Sequence, residues 1–504
     1  MSKYLFILLL LPMLGSSQAK QDYYWPFGLG AQDNLMPFAF DFNVSPFVPV
    51  LRESNVWFNQ NNASICDKQG NLLFYTNGCA VANRLHEIMP EGDSINAGRW
   101  FGEFWGGDCS RGYTGTQDIS ILPDPGNQEG YYIFHKPTSY KPENPDVNKR
   151  FSKDSLQYSY VDMSLDEGRG DVVIKNHTFF RDSLAASYLT AILHDNQEDY
   201  WIMNPVFPEG FLVLLLNDEG IESKIIDGPV WDIRKTSSSG HARFSPDGKQ
   251  FALFNQFDGL YLYDFDRMDG ALSEEQHIPF ISPETGIFAT CEWSPNSRFL
   301  YMSKFDTLWQ LDTWAEPLDT GLQIIEVKTE PSSVSPNFLV AALGPDCRIY
   351  IRGKSSAFTM HVIHKPDELG TACDFQQNGI QLPYISSAGS FPNFPRFRVD
   401  EEEKCDPSIV SIVGETVWWR RDLSAYPSPA TEHITVELPL EITKGRLYVM
   451  DMQGQLIYDE LVQGLQQLQL NVSDWSEGTY SVEFLPEDTS ARTLWTQRVV
   501  KVEE

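Results

Sequence analysis

The hydrophobic pattern of the chain starts with one continuous apolar run and then changes to short alternating segments. The run covers residues 4–14, follows Lys3, and leads into small residues that end at Ala19. This order is typical of a secretory signal peptide. We predict a signal peptide over 1–19, with cleavage between Ala19 and Lys20. Because the run has about half of the roughly 20 apolar residues that a membrane-spanning helix needs, we expect no transmembrane segment in the mature chain.

A turn of the Pro-Asp or Pro-Asn type, placed between two apolar runs, recurs about every fifty residues through the middle of the chain. Its prolines Pro246, Pro295 and Pro345 are 49 and 50 residues apart. Proline presets φ, and Asp, Asn or Gly closes the turn, so each copy predicts a β-hairpin. More distant copies begin at Cys66, Leu122 and His194.

Further strand-like stretches follow the hairpins, for example 259–265 and 307–312. Each repeat therefore holds about four short strands, which is one blade of a β-propeller. The stretch 22–399 has room for about seven blades, with six or eight as alternatives. A solenoid has shorter repeats. We expect the first blade to borrow a strand from the other end of the propeller.

The pattern changes again after the repeats. An acidic segment, 400–406, precedes a region of short alternating strands and tight turns that continues to the last residues. Several short strands at this spacing predict a β-sandwich of about 80 residues. We therefore predict an all-β chain with a β-propeller over 20–400, a linker over 401–424 and a small Ig-like β-sandwich over 425–504.

Several segments of the repeat region carry a family likeness. They are 71–78, 83–90, 116–118, 382–383 and the Phe-Pro-Asn-Phe-Pro motif of 391–395. Together they resemble exported propellers of Bacteroidetes-type bacteria with WD-repeat-like (WD40-like) blades. The resemblance implies a propeller fold and says little about biochemical function.

Two hairpin turns depart from that family pattern. Ser297 and Cys347 stand where such turns usually carry glycine. Glycine adopts positive φ at no steric cost, whereas other residues do not. We therefore expect a different turn type at both positions.

The end of the chain carries a second likeness. Its marks are spread over the last strands and turns of the sandwich: Tyr426, Pro427, Pro429, Gly454, Gly478, Tyr480 and Lys501. In this order they resemble the type A C-terminal sorting domain of the type IX secretion system. The resemblance implies two partners, the translocon of that system and its sortase-like peptidase. It also implies a location outside a Gram-negative cell, released or attached to its surface. A plain accessory sandwich is the alternative.

Composition narrows the functional classes. Hydrophobic residues make up 42% of the chain and aromatic residues 13%, enough for a large core, and the net charge is −31. Nucleic-acid binding needs a basic surface, so we expect no nucleic-acid partner. The seven cysteines contain no Cys-x-x-Cys pair, which argues against a zinc or redox cluster. Export permits disulfides, and the odd count leaves at least one thiol unpaired.

Two segments resemble catalytic or metal-binding elements only superficially. Ser237 to His241 holds serines near a histidine, but a loop between blades explains it better. The acids of 264–270 lack the spacing of a calcium loop and predict a turn between two strands. We find no hydrolase, metalloprotease or phosphate-binding motif. The sequence therefore predicts no catalytic residue, no metal ligand and no cofactor.

One glycine-rich segment, 98–113, concentrates aromatic residues between the first two hairpins. Propeller loops gather at the faces where ligands bind. Its rings are candidates for stacking on a glycan or anchoring a protein ligand. The alternative is that they plug the central channel or cover a blade. The candidates are Trp100, Phe101, Phe104, Trp105 and Tyr113.

These observations favour a secreted or cell-surface protein with a non-enzymatic binding, structural or adhesive role. The alternative is an extracellular hydrolase or lyase that uses carboxylates on a propeller face. A pocket with two close carboxylates, one strongly desolvated, would favour the enzyme. A flat or plugged face would favour the binding protein. An auxiliary role in gliding or adhesion machinery is a third hypothesis.

Overall fold

The computed structural model describes most of the chain after its first residues. Within this part, the only α-helix is α1 (Arg99–Trp105), and short 3₁₀ helices lie at Asp166–Gly168, Leu318–Gly321 and Gly370–Cys373. Nearly all other regular structure is β-strand. The described residues are 19–28, 37–44, 49–51, 54, 56–58, 60–109, 112–145, 151–230, 240–279, 289–328, 337–353, 357–386, 391–401, 404–409, 419–438, 444–451, 456–486 and 493–502.

Seven groups of antiparallel strands follow one another along the described residues before the tail, and the first group continues into a sheet of the tail. The first two have three strands each: β1 (Tyr24–Phe27), β2 (Phe38–Asp41) and β3 (Pro49–Leu51), then β4 (Ala63–Cys66), β5 (Leu72–Thr76) and β6 (Val81–Asn83). The third has four strands and a separate ribbon formed by β9 (Ser139–Tyr140) and β10 (Phe151–Ser152). Its four strands are β7 (Ile119–Asp124), β8 (Asn127–His135), β11 (Leu156–Asp162) and β12 (Asp171–Phe180).

The remaining four sheets are regular, with four strands in chain order. They are β13 (Thr190–Leu193), β14 (Tyr200–Pro205), β15 (Glu209–Asn217) and β16 (Gly220–Val230); β17 (Gly240–Phe244), β18 (Gln250–Asn255), β19 (Gly259–Asp266) and β20 (Ala271–Ile278); β21 (Ala289–Trp293), β22 (Phe299–Lys304), β23 (Thr307–Asp312) and β24 (Leu322–Val327); and β25 (Val340–Leu343), β26 (Ile349–Arg352), β27 (Ala357–Ile363) and β28 (Phe375–Ser386). The acids of 264–270 lie at the turn between β19 and β20, as expected.

The sheets pack face to face in a closed ring. The first strand of a sheet contacts the first strand of the next in most cases, for example β13 with β17 and β17 with β21. The first and last sheets meet through one aromatic core that contains Trp25, Phe40 and Tyr350. Burying a large apolar side chain stabilises the fold by about 1.5–3 kcal/mol. The predicted β-propeller fold is therefore confirmed, with seven successive sheets among the described residues.

The strand beside the first blade comes from beyond the propeller. β29 (Trp419–Asp422) pairs in parallel with β3, at Arg420 and Val50, and in parallel with a strand of the tail. The first blade thus receives a neighbouring strand from later in the chain. That strand belongs to the connection with the tail, not to the last blade.

The prediction of a different turn type at Ser297 and Cys347 is wrong. Their φ angles are 61° and 65°, close to the 72° of Gly248 in the equivalent turn. A left-handed conformation costs a non-glycine residue about 1–2 kcal/mol. Each residue has a compensating contact: the amide of Asp247 donates to Ser297 Oγ at 2.9 Å, and Cys347 forms a disulfide with Cys405.

The tail is a β-sandwich. One sheet holds β30 (Ser424–Tyr426), β31 (His433–Glu437) and β34 (Gln467–Asn471), and the other holds β29, β36 (Thr493–Lys501), β35 (Gly478–Pro486), β32 (Lys444–Asp451) and β33 (Leu456–Gln463). Alternate residues of the two sheets, such as Val436, Val449 and Val482, form a common buried core. The predicted small sandwich is therefore confirmed.

Candidate functional site

The centre of the propeller is filled by residues 391–399, which we call the plug segment. Its Asn393 donates from the backbone amide to Asn62 O at 2.9 Å, and from the side chain to Ile119 O at 2.9 Å and Leu189 O at 2.8 Å. Arg396 forms a parallel bridge with Ile192 of β13. The plug segment thus bonds to the inner edges of three successive blades.

The composition of the plug segment suits a buried, extended strand. Pro392 and Pro395 have no amide hydrogen, so two fewer backbone donors need a partner inside the ring. Phe391 is buried in the core shared by the first and last blades, and Phe397 in the core of the second to fifth. The motif that carried the family likeness is therefore the element that fills the channel.

A cluster of one carboxylate and two guanidinium groups lies beside the plug segment. Arg243 Nε donates to Glu292 Oε2 at 3.2 Å, and Arg396 Nη2 donates to Glu292 Oε1. Burial alone would raise the pKa of Glu292, but the adjacent Arg396 and Arg243 hold it below its usual range. Glu292 is therefore an ionised carboxylate at neutral pH.

This arginine cluster borders a small pocket that opens to solvent and has a cavity volume of about 50 Å³. Arg398 and Asp22, also in its wall, form a bidentate ion pair with both N–O distances at 2.6 Å. Trp25, Phe394 and Phe397 supply apolar wall. The charged lining residues are Asp22, Arg243, Glu292, Arg396, Arg398 and Lys404.

A second buried charge cluster joins the third and fourth blades. Asp118 forms ion pairs with Lys136 Nζ at 2.8 Å and with Lys153 Nζ at 2.9 Å. Lys136 Nζ also donates to the carbonyl oxygens of Ala185 and Ser187. Burial lowers the pKa of Lys136 to about 8, although Asp118 opposes this. Buried lysines with several carbonyl partners are structural connectors, and we assign this cluster to the fold.

The structure places three of the five predicted aromatic ligand residues in a small core. Trp100 and Phe101 of α1 are buried with Tyr113, and the Trp100 and Tyr113 rings are 5.0 Å apart. The side chains of Phe104 and Trp105 lie outside the described residues. Packing therefore accounts for the three described rings, and a ligand contact by the other two stays a prediction.

Disulfides stabilise both the small aromatic core around Trp100 and the surroundings of the plug segment. Cys79–Cys109 lies in the core that holds Trp100, and Cys347–Cys405 ties the last blade to the residues after the plug segment. Three cysteines, Cys66, Cys291 and Cys373, are free and buried. Four of the seven cysteines form disulfides, so three thiols are unpaired within the described residues.

The serine and histidine segment does not form a described catalytic pair. His241 is buried in β17, bonds to Thr290 Oγ1 at 3.0 Å, and has a pKa well below its usual value because of burial and the nearby Arg243. Ser237 lies outside the described residues. Within the described part of the chain, no group of three or more His, Cys, Asp or Glu residues is arranged to hold a metal ion.

The predicted cleavage site lies against the last part of the propeller. The amide of Ala19 donates to Glu401 Oε1 at 3.1 Å, and the carbonyl oxygen of Ala19 accepts from Arg398 Nη1 at 2.7 Å. The ammonium of Lys20 lies 5.0 Å from the ring centre of Tyr23. Cleavage between Ala19 and Lys20 stays a prediction.

The predicted sorting marks lie along the edges and turns of the sandwich. Tyr426 ends β30 and donates to Glu437 Oε1, with Pro427 and Pro429 just after it. Gly478 begins β35, Tyr480 donates to Ser476 O from a buried position, and Lys501 ends β36. Gly454 lies outside the described residues.

Sequence reasoning missed the functional geometry around the plug segment. It singled out the Phe-Pro-Asn-Phe-Pro motif, but only as a family mark. A signal was present in the strands: Arg243 and Glu292 each place a charged residue inside a short inner strand. Buried charges need partners, so such residues on inner strands mark a central cluster.

Comparisons with solved structures find matches at low sequence identity and low TM-score. A candidate 6-phosphogluconolactonase from Bacteroides uniformis has 11% identity and a TM-score of 0.45, covering 72% of this chain and 97% of that one. The Cps50 (Swd1) β-propeller domain from Myceliophthora thermophila has 10% identity and a TM-score of 0.34, covering 67% and 92%. AztD from Citrobacter koseri has 13% identity and a TM-score of 0.32, covering 90% and 99%. No curated protein matches the chain.

The tail matches a known family. Residues 424–500 match the model of the secretion system C-terminal sorting domain. No helix among the described residues is long and apolar enough to cross a membrane. The chain therefore ends in a sorting domain that interacts with secretion machinery, and the protein is exported to the cell surface or beyond it.

Proposed function

We propose that this protein is a binding or adhesion module that the type IX secretion system delivers to the outside of a Bacteroidetes-type cell. The match of residues 424–500 to a sorting domain carries the proposal. The translocon recognises the tail, and the sortase-like peptidase removes it. The WD-repeat-like propeller, over 20–400, then meets a glycan or protein ligand. The Ser-Pro-Asp-Gly turn at 245–248 supports the assignment of the blades.

The described carboxylates around the pocket support binding over hydrolysis. A glycosidase needs one protonated carboxylic acid and one carboxylate on opposite sides of the scissile bond. Glu292 is held ionised by Arg243 and Arg396, and Asp22 is engaged by Arg398. Glu292 therefore lacks the environment of a proton donor. The plug segment also fills the channel in which a propeller commonly holds a substrate.

A pair of single substitutions in the tail tests the export step. Val449→Asp places an unpaired charge in the sandwich core, whereas Leu465→Asp changes an exposed side chain. We expect the first variant to accumulate in the periplasm and the second to reach the surface or the medium. Cell fractionation with an antibody against the propeller measures both. Export of a chain that lacks 424–504 would contradict the proposal.

A binding screen with residues 20–504, the chain without its predicted signal peptide, tests the role of the propeller. The screen presents glycans and outer-surface proteins, and a parallel assay follows cleavage of the same glycans. We expect saturable binding to at least one partner and no turnover. Turnover that a carboxylate-to-amide substitution abolishes would establish the hydrolase alternative instead.

A further inference from the structure

The pocket beside the plug segment has the chemistry of an anion site. We propose that it binds a small carboxylate-bearing ligand, such as an organic acid or a sugar acid, between Arg243 and Arg396. This inference rests on the proposed binding role of the propeller and names a ligand class for one site. It concerns the centre of the ring and does not involve the aromatic segment 98–113.

Both arginines keep unused hydrogen-bond donors. An arginine side chain carries five N–H groups. Arg243 donates two hydrogen bonds, to Glu292 and Asn393, and Arg396 donates two, to Glu292 and to the carbonyl oxygen of Phe244. Their other N–H groups have no acceptor among the described residues. Arg243 is more than nine-tenths buried and borders the pocket, so these donors are available there to water or to an anionic ligand.

The carboxylate already present is largely occupied. Glu292 accepts from Arg243 Nε, from Arg396 Nη2 and from the backbone amide of Trp293 at 2.9 Å. About one of its four acceptor sites is left, which is too few for the remaining donors. An outside anion completes a 2:2 arrangement of guanidinium and carboxylate groups, in which each buried charge has a partner.

The charges of the side chains that line the pocket also favour an anionic ligand. Four of its side chains are cationic and two are anionic, within a chain whose net charge is −31. Both anionic groups, Asp22 and Glu292, are bonded to arginines. The pocket is thus a local positive region in an acidic protein, and such a field concentrates anions.

The shape of the donors and the wall selects the kind of anion. A guanidinium fork matches the two oxygens of a carboxylate in one plane. Trp25, Phe394 and Phe397 offer apolar surface next to these forks, which suits the carbon skeleton of an organic acid or the face of a sugar ring. A bare inorganic anion would leave that surface in water.

Titration of residues 20–504 with simple acids tests the inference. The probes are acetate, lactate and glucuronate as sodium salts, with sodium chloride, sodium phosphate and glucose as controls, followed by calorimetry and by the unfolding midpoint. We expect at least one carboxylate to bind with 1:1 stoichiometry and to raise the midpoint, and glucose to do neither. Absence of binding by all three acids, or an equal effect of phosphate, would overturn it.

Three variants locate the site. Arg243→Gln should weaken binding at least tenfold. Glu292→Gln should tighten it several-fold, because the internal competitor for both guanidinium groups loses its charge. Arg298→Gln removes an arginine that pairs with Asp312 at a hairpin outside the pocket lining, and should have no effect.

The variants also keep the inference separate from the proposed function. Because Glu292→Gln is expected to gain affinity, a folding defect cannot mimic its result. Unchanged affinity in both Arg243→Gln and Glu292→Gln would reject the pocket. Binding of a glycan or surface protein that survives Arg243→Gln would leave the proposed function intact while the pocket inference fails.

Discussion

Two buried clusters in the propeller have the same formal charges and different surroundings. Each contains one carboxylate and two cations: Asp118 with two lysines, and Glu292 with two arginines. The side chains of the lysine cluster are 0–6% exposed, and those of the arginine cluster are 2–17% exposed. The first is sealed between blades, and the second borders the pocket.

The difference follows from the cations. A lysine ammonium is a compact point donor with three N–H groups. Lys136 directs its ammonium at Asp118, at two carbonyl oxygens and at Asn204 Oδ1. A guanidinium is a wide fork that seldom finds acceptors for all its donors inside one fold. The lysine cluster is therefore complete without a ligand, whereas the arginine cluster retains donors for one.

Removing each carboxylate charge should separate the two clusters most strongly. Asp118→Asn leaves two sealed ammonium groups without a counter-ion, and we expect a loss of about 3–5 kcal/mol in the free energy of unfolding. Glu292→Gln should cost less, about 1–3 kcal/mol, because water in the pocket solvates the arginines. Urea denaturation of both variants measures this. Equal losses would mean that the clusters do not differ in role.

We expect the plug segment to hold the side chains of the arginine cluster in position. Asn393→Ala removes two donated side-chain bonds and the acceptor of Arg243 Nη1, and we expect a loss of about 2–4 kcal/mol. The same change at the exposed Asn471 of the tail should cost below about 1 kcal/mol. Carboxylate affinity should fall in Asn393→Ala. Normal affinity in that variant would show that the arginines hold their positions without the plug segment.

The blades were predictable because their information is local. The Pro-Asp turn and the flanking apolar runs lie within about ten residues, and short-range sterics decide their conformation. The error at Ser297 and Cys347 has the opposite origin. Their positive φ angles are supported by contacts with Asp247 and Cys405, 50 and 58 residues away in sequence. A local rule could not include those partners.

The arginine cluster was not predictable either, because its contacts also join residues that are far apart in the sequence. Gln117 and Asn393 meet across 276 residues, and Arg243 and Asn393 across 150. Composition marked 98–113 as the place for ligand contacts because aromatic residues cluster there. The structure instead buries Trp100 and Tyr113 in a disulfide-linked core. Only the folded propeller shows that Arg243, Glu292 and Arg396 meet beside the plug segment.

The smallest expected effect is a difference in acid sensitivity. The pKa values of Asp118 and Glu292 are lowered, against the opposing effect of burial, by the two lysines and the two arginines respectively. A carboxyl group whose pKa is lower in the folded state stabilises the fold above its ordinary pKa, 3.8 for Asp118 and 4.5 for Glu292. That stability is lost as the pH falls through the folded value.

The two charge-removing variants should therefore approach the wild type at different pH. We call the stability gap the difference in free energy of unfolding between the wild type and a variant. The gap of Glu292→Gln should begin to narrow just below pH 4.5, and that of Asp118→Asn only below pH 3.8. For each variant, the decrease of the stability gap over this pH range should be only a fraction of the gap at pH 7. Urea titrations at half-unit steps from pH 6 to pH 3 measure both curves. Gaps that stay constant over this range would show that neither carboxylate is held ionised by its cations, which would remove the electrostatic basis for both clusters.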